Sequence, residues 1–152
     1  MRILSIDGGG IRGLIPAMVL AEVERRTGRR VHELFDMIAG TSTGGILACA
    51  LTRPSPETAA ALVDLYVDEG PRIFHRGLLK RLTSVEGWID ERYDDEGLVG
   101  ALRDHLGDTR LKQALTPVLV TAYDLEGRFA FFFRSDRAVA DDAYDFAMWE
   151  VA

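Results

Sequence analysis

The sequence predicts an α/β fold around a largely parallel sheet with an antiparallel addition, and three observations predict it. Two short apolar runs, residues 3–6 and 35–39, each lead into a glycine-rich loop and then into a helical pattern. Helical periodicity returns twice more in the middle of the chain. A Val/Thr-rich run, residues 117–123, is joined by a Glu126-Gly127 turn to a second strand pattern at 128–134, which marks a β-hairpin. Strand, helix, strand, helices and a terminal hairpin is the order of an α/β domain.

Residues 3–6 read as a buried strand feeding a tight loop. Ile15, Met18, Val19 and Val23 then recur at helical spacing, with Pro16 in the first turn and Gly28 as the stop. Residues 35–39, interrupted only by Asp36, form the second strand, and residues 46–51 a buried helix. Ser55-Pro56-Glu57 open the next helix: a capping hydroxyl, a proline at the first position, an acid near the positive end. Ala59, Leu62, Val63 and Tyr66 continue it. Residues 70–92 have no firm period and predict irregular structure with short helical pieces. Asp94 and Asp95 open another helix, with Leu98, Leu102 and Leu106 at four-residue steps and Gly107 as its stop. In the hairpin Phe129, Phe131 and Phe133 alternate with Phe132, which predicts a strand buried on both faces rather than a lipid-contacting patch.

Bulk properties narrow the function classes. At 152 residues, 47% hydrophobic and 28% charged, residues 1–152 suit one globular domain with a real core. A net charge of −6 leaves no basic footprint for nucleic acid and disfavours electrostatic docking on anionic lipid. The lone cysteine, Cys49, excludes an internal disulfide and reads as a small buried hydrophobe. No apolar run approaches the roughly 18 residues of a membrane span, and the first strand begins at once, without a signal-peptide pattern. A cytoplasmic protein is the expectation. No His/Cys/carboxylate cluster has metal-ligand spacing, so neither a metal nor a cofactor is expected. His32, His75 and His105 lack any catalytic context and read as surface or helix-flank residues.

Two motifs carry chemistry. Gly40-Thr41-Ser42-Thr43-Gly44-Gly45 contains Gly-x-Ser-x-Gly between a strand and a helix, the context of a nucleophile elbow. Gly40 and Gly44 permit the close strand–helix approach, and Ser42 stands exposed above the sheet edge. Asp7-Gly8-Gly9-Gly10-Ile11-Arg12-Gly13 is a glycine loop able to turn backbone N–H groups towards an oxyanion. Asp7 is expected to hydrogen-bond that loop rather than act as a base. Gly8-x-Gly10-x-x-Gly13 also matches a dinucleotide fingerprint. That motif requires an acid at the end of the second strand, where this chain has the Ser42 elbow.

The two motifs, about 30 residues apart, resemble those of the patatin-like phospholipases. Ile15-Pro16, Leu34-Phe35-Asp36, Ile38-Ala39 and the tail from Tyr144 to Ala152, expected to enter a helix, fit the same resemblance. It implies a three-layer patatin-like fold and hydrolysis of membrane-lipid acyl esters by a Ser–Asp dyad. The protein would make transient contact with the membrane surface and need no cofactor. Ser42 would be the nucleophile. Gly8, Gly9, Gly10 and the Arg12 backbone would form the oxyanion loop, shaped by Gly13. The family's base lies in an Asp-Gly-Gly or Asp-Gly-Ala motif, and no aspartate after Ser42 is followed by glycine here. The resemblance therefore implies the N-terminal portion of a patatin domain, incomplete at its C-terminus, with impaired activity. The alternative is a non-catalytic fragment serving as a binding or regulatory subunit.

Overall fold

A computed structural model of the chain describes residues 1–68, 70 and 95–152. The elements run β1 (Ile3–Ile6), a one-turn 3-10 helix (Gly10–Gly13), α1 (Leu14–Thr27), α2 (Val31–Leu34), β2 (Met37–Thr41) and α3 (Thr43–Thr52). They continue with α4 (Ala59–Asp68), α5 (Asp95–Leu106), β3 (Val118–Asp124), β4 (Phe129–Arg134), α6 (Ser135–Ala140) and α7 (Met148–Val151). The sheet order is β1-β2-β3-β4, with the first three strands parallel and β4 antiparallel. This is the α/β, mostly parallel architecture that the strand and helix patterns predict. The predicted irregular segment 70–92, Asp94 and His75 lie outside the described residues, except for Gly70.

α3 is the centre of the core. Nine of its ten residues are buried, as expected of a helix with apolar side chains on every side. It packs on the sheet face formed by Ile6, Ile38, Val118 and Val120, which the register places side by side. Cys49 is among its fully buried residues, and burial pushes the thiol up to about 12. Among the described residues no helix is long and apolar enough to cross a membrane.

The structure corrects several expectations. Among the described residues β1 is an edge strand, and of its residues only Ile6 is buried. α1 is rotated away from its most apolar stripe: Ala17 and Leu20 are buried, whereas Ile15, Met18 and Val19 are each more than half exposed. Long-range bonds outweigh the local pattern here. The Glu24 carboxylate accepts the Val31 amide at 3.0 Å and the Ala59 amide at 2.8 Å, so it must face α2 and α4. α4 begins three residues later than Ser55-Pro56-Glu57 suggests, because the Thr58 hydroxyl caps it by accepting the Ala61 amide at 2.8 Å. β4 is an edge strand, not one buried on both faces. Phe131 and Phe133 pack edge-on against Phe146, while Phe129 and Phe132 are about half exposed.

The C-terminal tail enters α7 only at Met148, after a 3-10 turn at Asp142–Tyr144. Asp145 holds this tail. Its buried carboxylate accepts the Lys112 amide at 3.0 Å, lies 3.2 Å from Lys112 Nζ, and accepts Arg110 Nε at 3.3 Å. Burial pushes the carboxyl up, but the Lys112 and Arg110 donors outweigh it and hold the group below the usual carboxylate range. A carboxylate lowered in this way stabilises the fold above its unfolded value, and the contribution is lost as pH falls through the folded value. Asp145→Asn is therefore expected to destabilise the chain by about 2 kcal/mol at pH 7. In urea melts the deficit should shrink as pH drops below about 4. A deficit independent of pH down to about 2 would contradict the assignment.

Candidate active site

Ser42 stands where β2 gives way to α3. Its backbone has φ 54° and ψ −126°, a conformation that an L residue adopts only when its surroundings enforce it. The enforcement comes from both sides. β2 pairs with β1 as far as Gly40 and with β3 to its end, Thr41 opposite Thr121. Immediately afterwards the Ser42 carbonyl accepts the Gly45 amide at 2.6 Å and the Ile46 amide at 3.2 Å, which starts the helix. The Ser42 hydroxyl makes no capping bond and is exposed at the rim. The positive end of α3 points at it.

The glycines explain how the turn closes. A Cβ on Gly40 would lie 2.6 Å from the Gly45 nitrogen, and one on Gly44 would lie 2.8 Å from the Ile6 carbonyl carbon. β1 and the first turn of α3 thus cross backbone on backbone. Gly8 repeats the arrangement at the site itself: a Cβ there would lie 2.9 Å from the Thr41 carbonyl oxygen and 3.0 Å from Ser42 Cβ. The loop predicted to face an oxyanion runs against the serine predicted to generate one.

Within the loop, Gly10 has φ 57°, the left-handed turn that starts the short 3-10 helix. The Arg12 amide donates to the Gly9 carbonyl at 3.2 Å, and Arg12 Nε reaches the same oxygen at 3.4 Å. The Gly8 and Gly9 amides donate to no described residue. Gly13 is buried beneath the loop, where a Cβ would lie 2.7 Å from the Tyr66 hydroxyl. That hydroxyl is bonded to Thr43 Oγ1. Burial pushes the Tyr66 phenol up, against a smaller opposite effect of the Thr43 bond. Asp7 is exposed and its carboxylate bonds to no described residue, so the expected loop-holding role is absent. The second strand ends in Thr41-Ser42 and not in an acid, which leaves the dinucleotide fingerprint without its ribose ligand.

Two features escaped the sequence. Thr41 and Thr121 hydroxyls pair at 2.8 Å across β2 and β3, beside Ser42, and only the position of Thr41 inside the motif hinted at this. Tyr66 sits on the far side of the loop, and its helical spacing in α4 predicts burial but not its partner. A small apolar cavity of about 30 Å³ lies between α3, α4 and α5. Ile46, Leu62, Tyr66, Leu98 and Leu102 line it, and Ile46 is one helical turn beyond Ser42. His105 flanks the same helices, its Nδ1 3.6 Å from Glu57. His32 lies on α2, its carbonyl accepting the Thr116 hydroxyl at 2.6 Å.

Comparison with known proteins identifies the family of the sequence. The sequence model of the patatin-like phospholipases matches residues 4–152. Among curated proteins of Solanum tuberosum, Patatin-T5 and Patatin-B1 are each 35% identical over 98% of this chain and 40% of their own length. Probable inactive patatin-3-Kuras 1 is 34% identical over 98% of this chain and 41% of its own. The chain spans about two fifths of the length of these relatives.

Proposed function

The chain belongs to the patatin-like phospholipase family, and on that premise we propose that it carries the nucleophile and oxyanion half of a lipid acyl hydrolase of phospholipase A or esterase type. The observation that carries this reading is the strained backbone of Ser42, so close to Gly8 that a Cβ on Gly8 would lie 3.0 Å from Ser42 Cβ. In the proposed reaction Ser42 Oγ attacks the acyl carbonyl carbon and gives its proton to a base. The Gly8, Gly9 and Gly10 amides stabilise the tetrahedral oxyanion; one such donor is commonly worth about 2.7–4 kcal/mol. The alcohol part of the lipid leaves, and water then releases the fatty acid from the acyl-serine. No step requires a cofactor.

In this reading the base is a dyad aspartate from a later Asp-Gly motif, and no aspartate after Ser42 in this chain is followed by glycine. A serine without a base is a weak nucleophile. The 152-residue chain treated with an alkyl fluorophosphonate should therefore form one adduct slowly, mapped by mass spectrometry to Ser42 and missing from Ser42→Ala. An adduct formed as fast as in complete serine hydrolases would mean that a base is already present. No adduct at Ser42 would favour the second reading, a non-catalytic binding or regulatory partner. The relative named as probably inactive points the same way.

A further inference from the structure

The β3–β4 hairpin reaches past the candidate site. β3 pairs with β2 only as far as Thr121, opposite Thr41. It then continues through Ala122, Tyr123 and Asp124 paired with β4 alone. Three further residues at about 3.3 Å each carry this two-stranded ribbon roughly 10 Å beyond the rim where Ser42 emerges. Its end carries exposed apolar side chains, Leu125 at 83%, Tyr123 at 59% and Phe129 at 48%, with charges of both signs, Asp124, Glu126 and Arg128, in the same turn. At the same end of the sheet, Ile11 in the glycine loop and Ile15 one turn later are exposed as well.

We propose that this hairpin tip is a docking element for a zwitterionic lipid surface, which it enters to bring Ser42 to the interface. The inference rests on the lipid-hydrolase reading above. Three features favour lipid as the occupant. Asp124 Oδ1 already accepts the Glu126 and Gly127 amides, at 2.9 and 2.8 Å, so these turn donors need not be stripped of water unpaired. Tyr123 and Phe129 flank Leu125 as an amphipathic and an apolar ring, a combination suited to the headgroup boundary. The net charge of −6 opposes an anionic surface. The tip rises from β3, the strand paired with β2 up to Thr41, so a surface that takes up the tip lies over the rim where Ser42 emerges.

The test places an environment-sensitive nitrobenzoxadiazole label on Leu125→Cys and, separately, on Val139→Cys. Val139 is 69% exposed on α6, after β4 has returned to the other end of the sheet. Cys49 is buried and escapes labelling. With phosphatidylcholine vesicles the label at 125 should shift to the blue and brighten while that at 139 stays unchanged. Leu125→Asp should weaken vesicle co-sedimentation about tenfold, and Ser42→Ala should leave it intact. An unshifted label at 125, an equal shift at both sites, binding to anionic vesicles alone, or a response only to self-association of the chain would each overturn the proposal. Vesicle binding does not need Ser42 chemistry. A shift at 125 without a Ser42 adduct would refute the hydrolase and leave the docking element, and the opposite pair of results would do the reverse.

Discussion

Gly44→Ala is expected to destabilise the chain by about 3 kcal/mol or more, enough to prevent folding in a marginal domain. The new methyl would lie 2.8 Å from the Ile6 carbonyl carbon and 3.1 Å from the Asp7 oxygen, all backbone atoms of the adjoining strand. No side-chain rotamer can relieve the clash. β1 would have to part from α3, and α3 is the helix that fills the core. Gly100→Ala supplies the control with the opposite sign. Gly100 lies inside α5, and a Cβ there meets nothing within 4 Å. Alanine at that position should raise stability by about 0.5–1 kcal/mol through helix propensity and a less flexible unfolded chain. Urea melts of the two variants should move in opposite directions. Equal midpoints would show that the tight crossing at Gly44 is not a constraint on this fold.

Ser42→Gly should abolish adduct formation and at the same time stabilise the protein. Glycine adopts φ 54°, ψ −126° without the penalty a Cβ incurs, and such conformations cost about 1–3 kcal/mol. The greater freedom of glycine in the unfolded chain takes back part of this, so the net gain is about 1 kcal/mol. Ser42→Ala removes the same hydroxyl but keeps the Cβ, and should gain nothing. Both variants lose fluorophosphonate labelling, so the difference in their melting midpoints reads the backbone alone. An alanine variant as stable as the glycine variant would mean that the elbow is not strained.

Much of the site was legible because its constraints are local. A serine between two glycines at a strand–helix junction, and a glycine loop after the preceding strand, are specified by residues within a few positions of each other. Gly40 and Gly44 were legible as sites of close approach, and the structure adds what they approach. The face of α1 was not legible, because Glu24 answers to Val31 and Ala59, and the carboxylate bonds override the apolar stripe of Ile15, Met18 and Val19. Ser55-Pro56-Glu57 has the chemistry of a helix start, yet Thr58 takes the cap. Two hydroxyls within four residues compete for one role, and a local pattern cannot rank them. The phenylalanines of β4 show the limit most clearly. Their alternation was correct, with Phe132 on the other face from Phe131 and Phe133. What lies opposite each face is set by distant segments, and the strand proved to be an edge.

The contact of Gly8 with Ser42 Cβ has a mechanical consequence. In the proposed site the glycine loop and Ser42 would share one point of reference, with no side chain on Gly8 between them. A push on one is transmitted to the other, so they are displaced together and keep their spacing. Under the proposed function, lipids of different bulk would press on the rim and change how long they stay without detuning the alignment of Ser42 Oγ with the amides of the glycine loop. Variation in substrate would be felt in residence, while the geometry of attack is held as a fixed gauge.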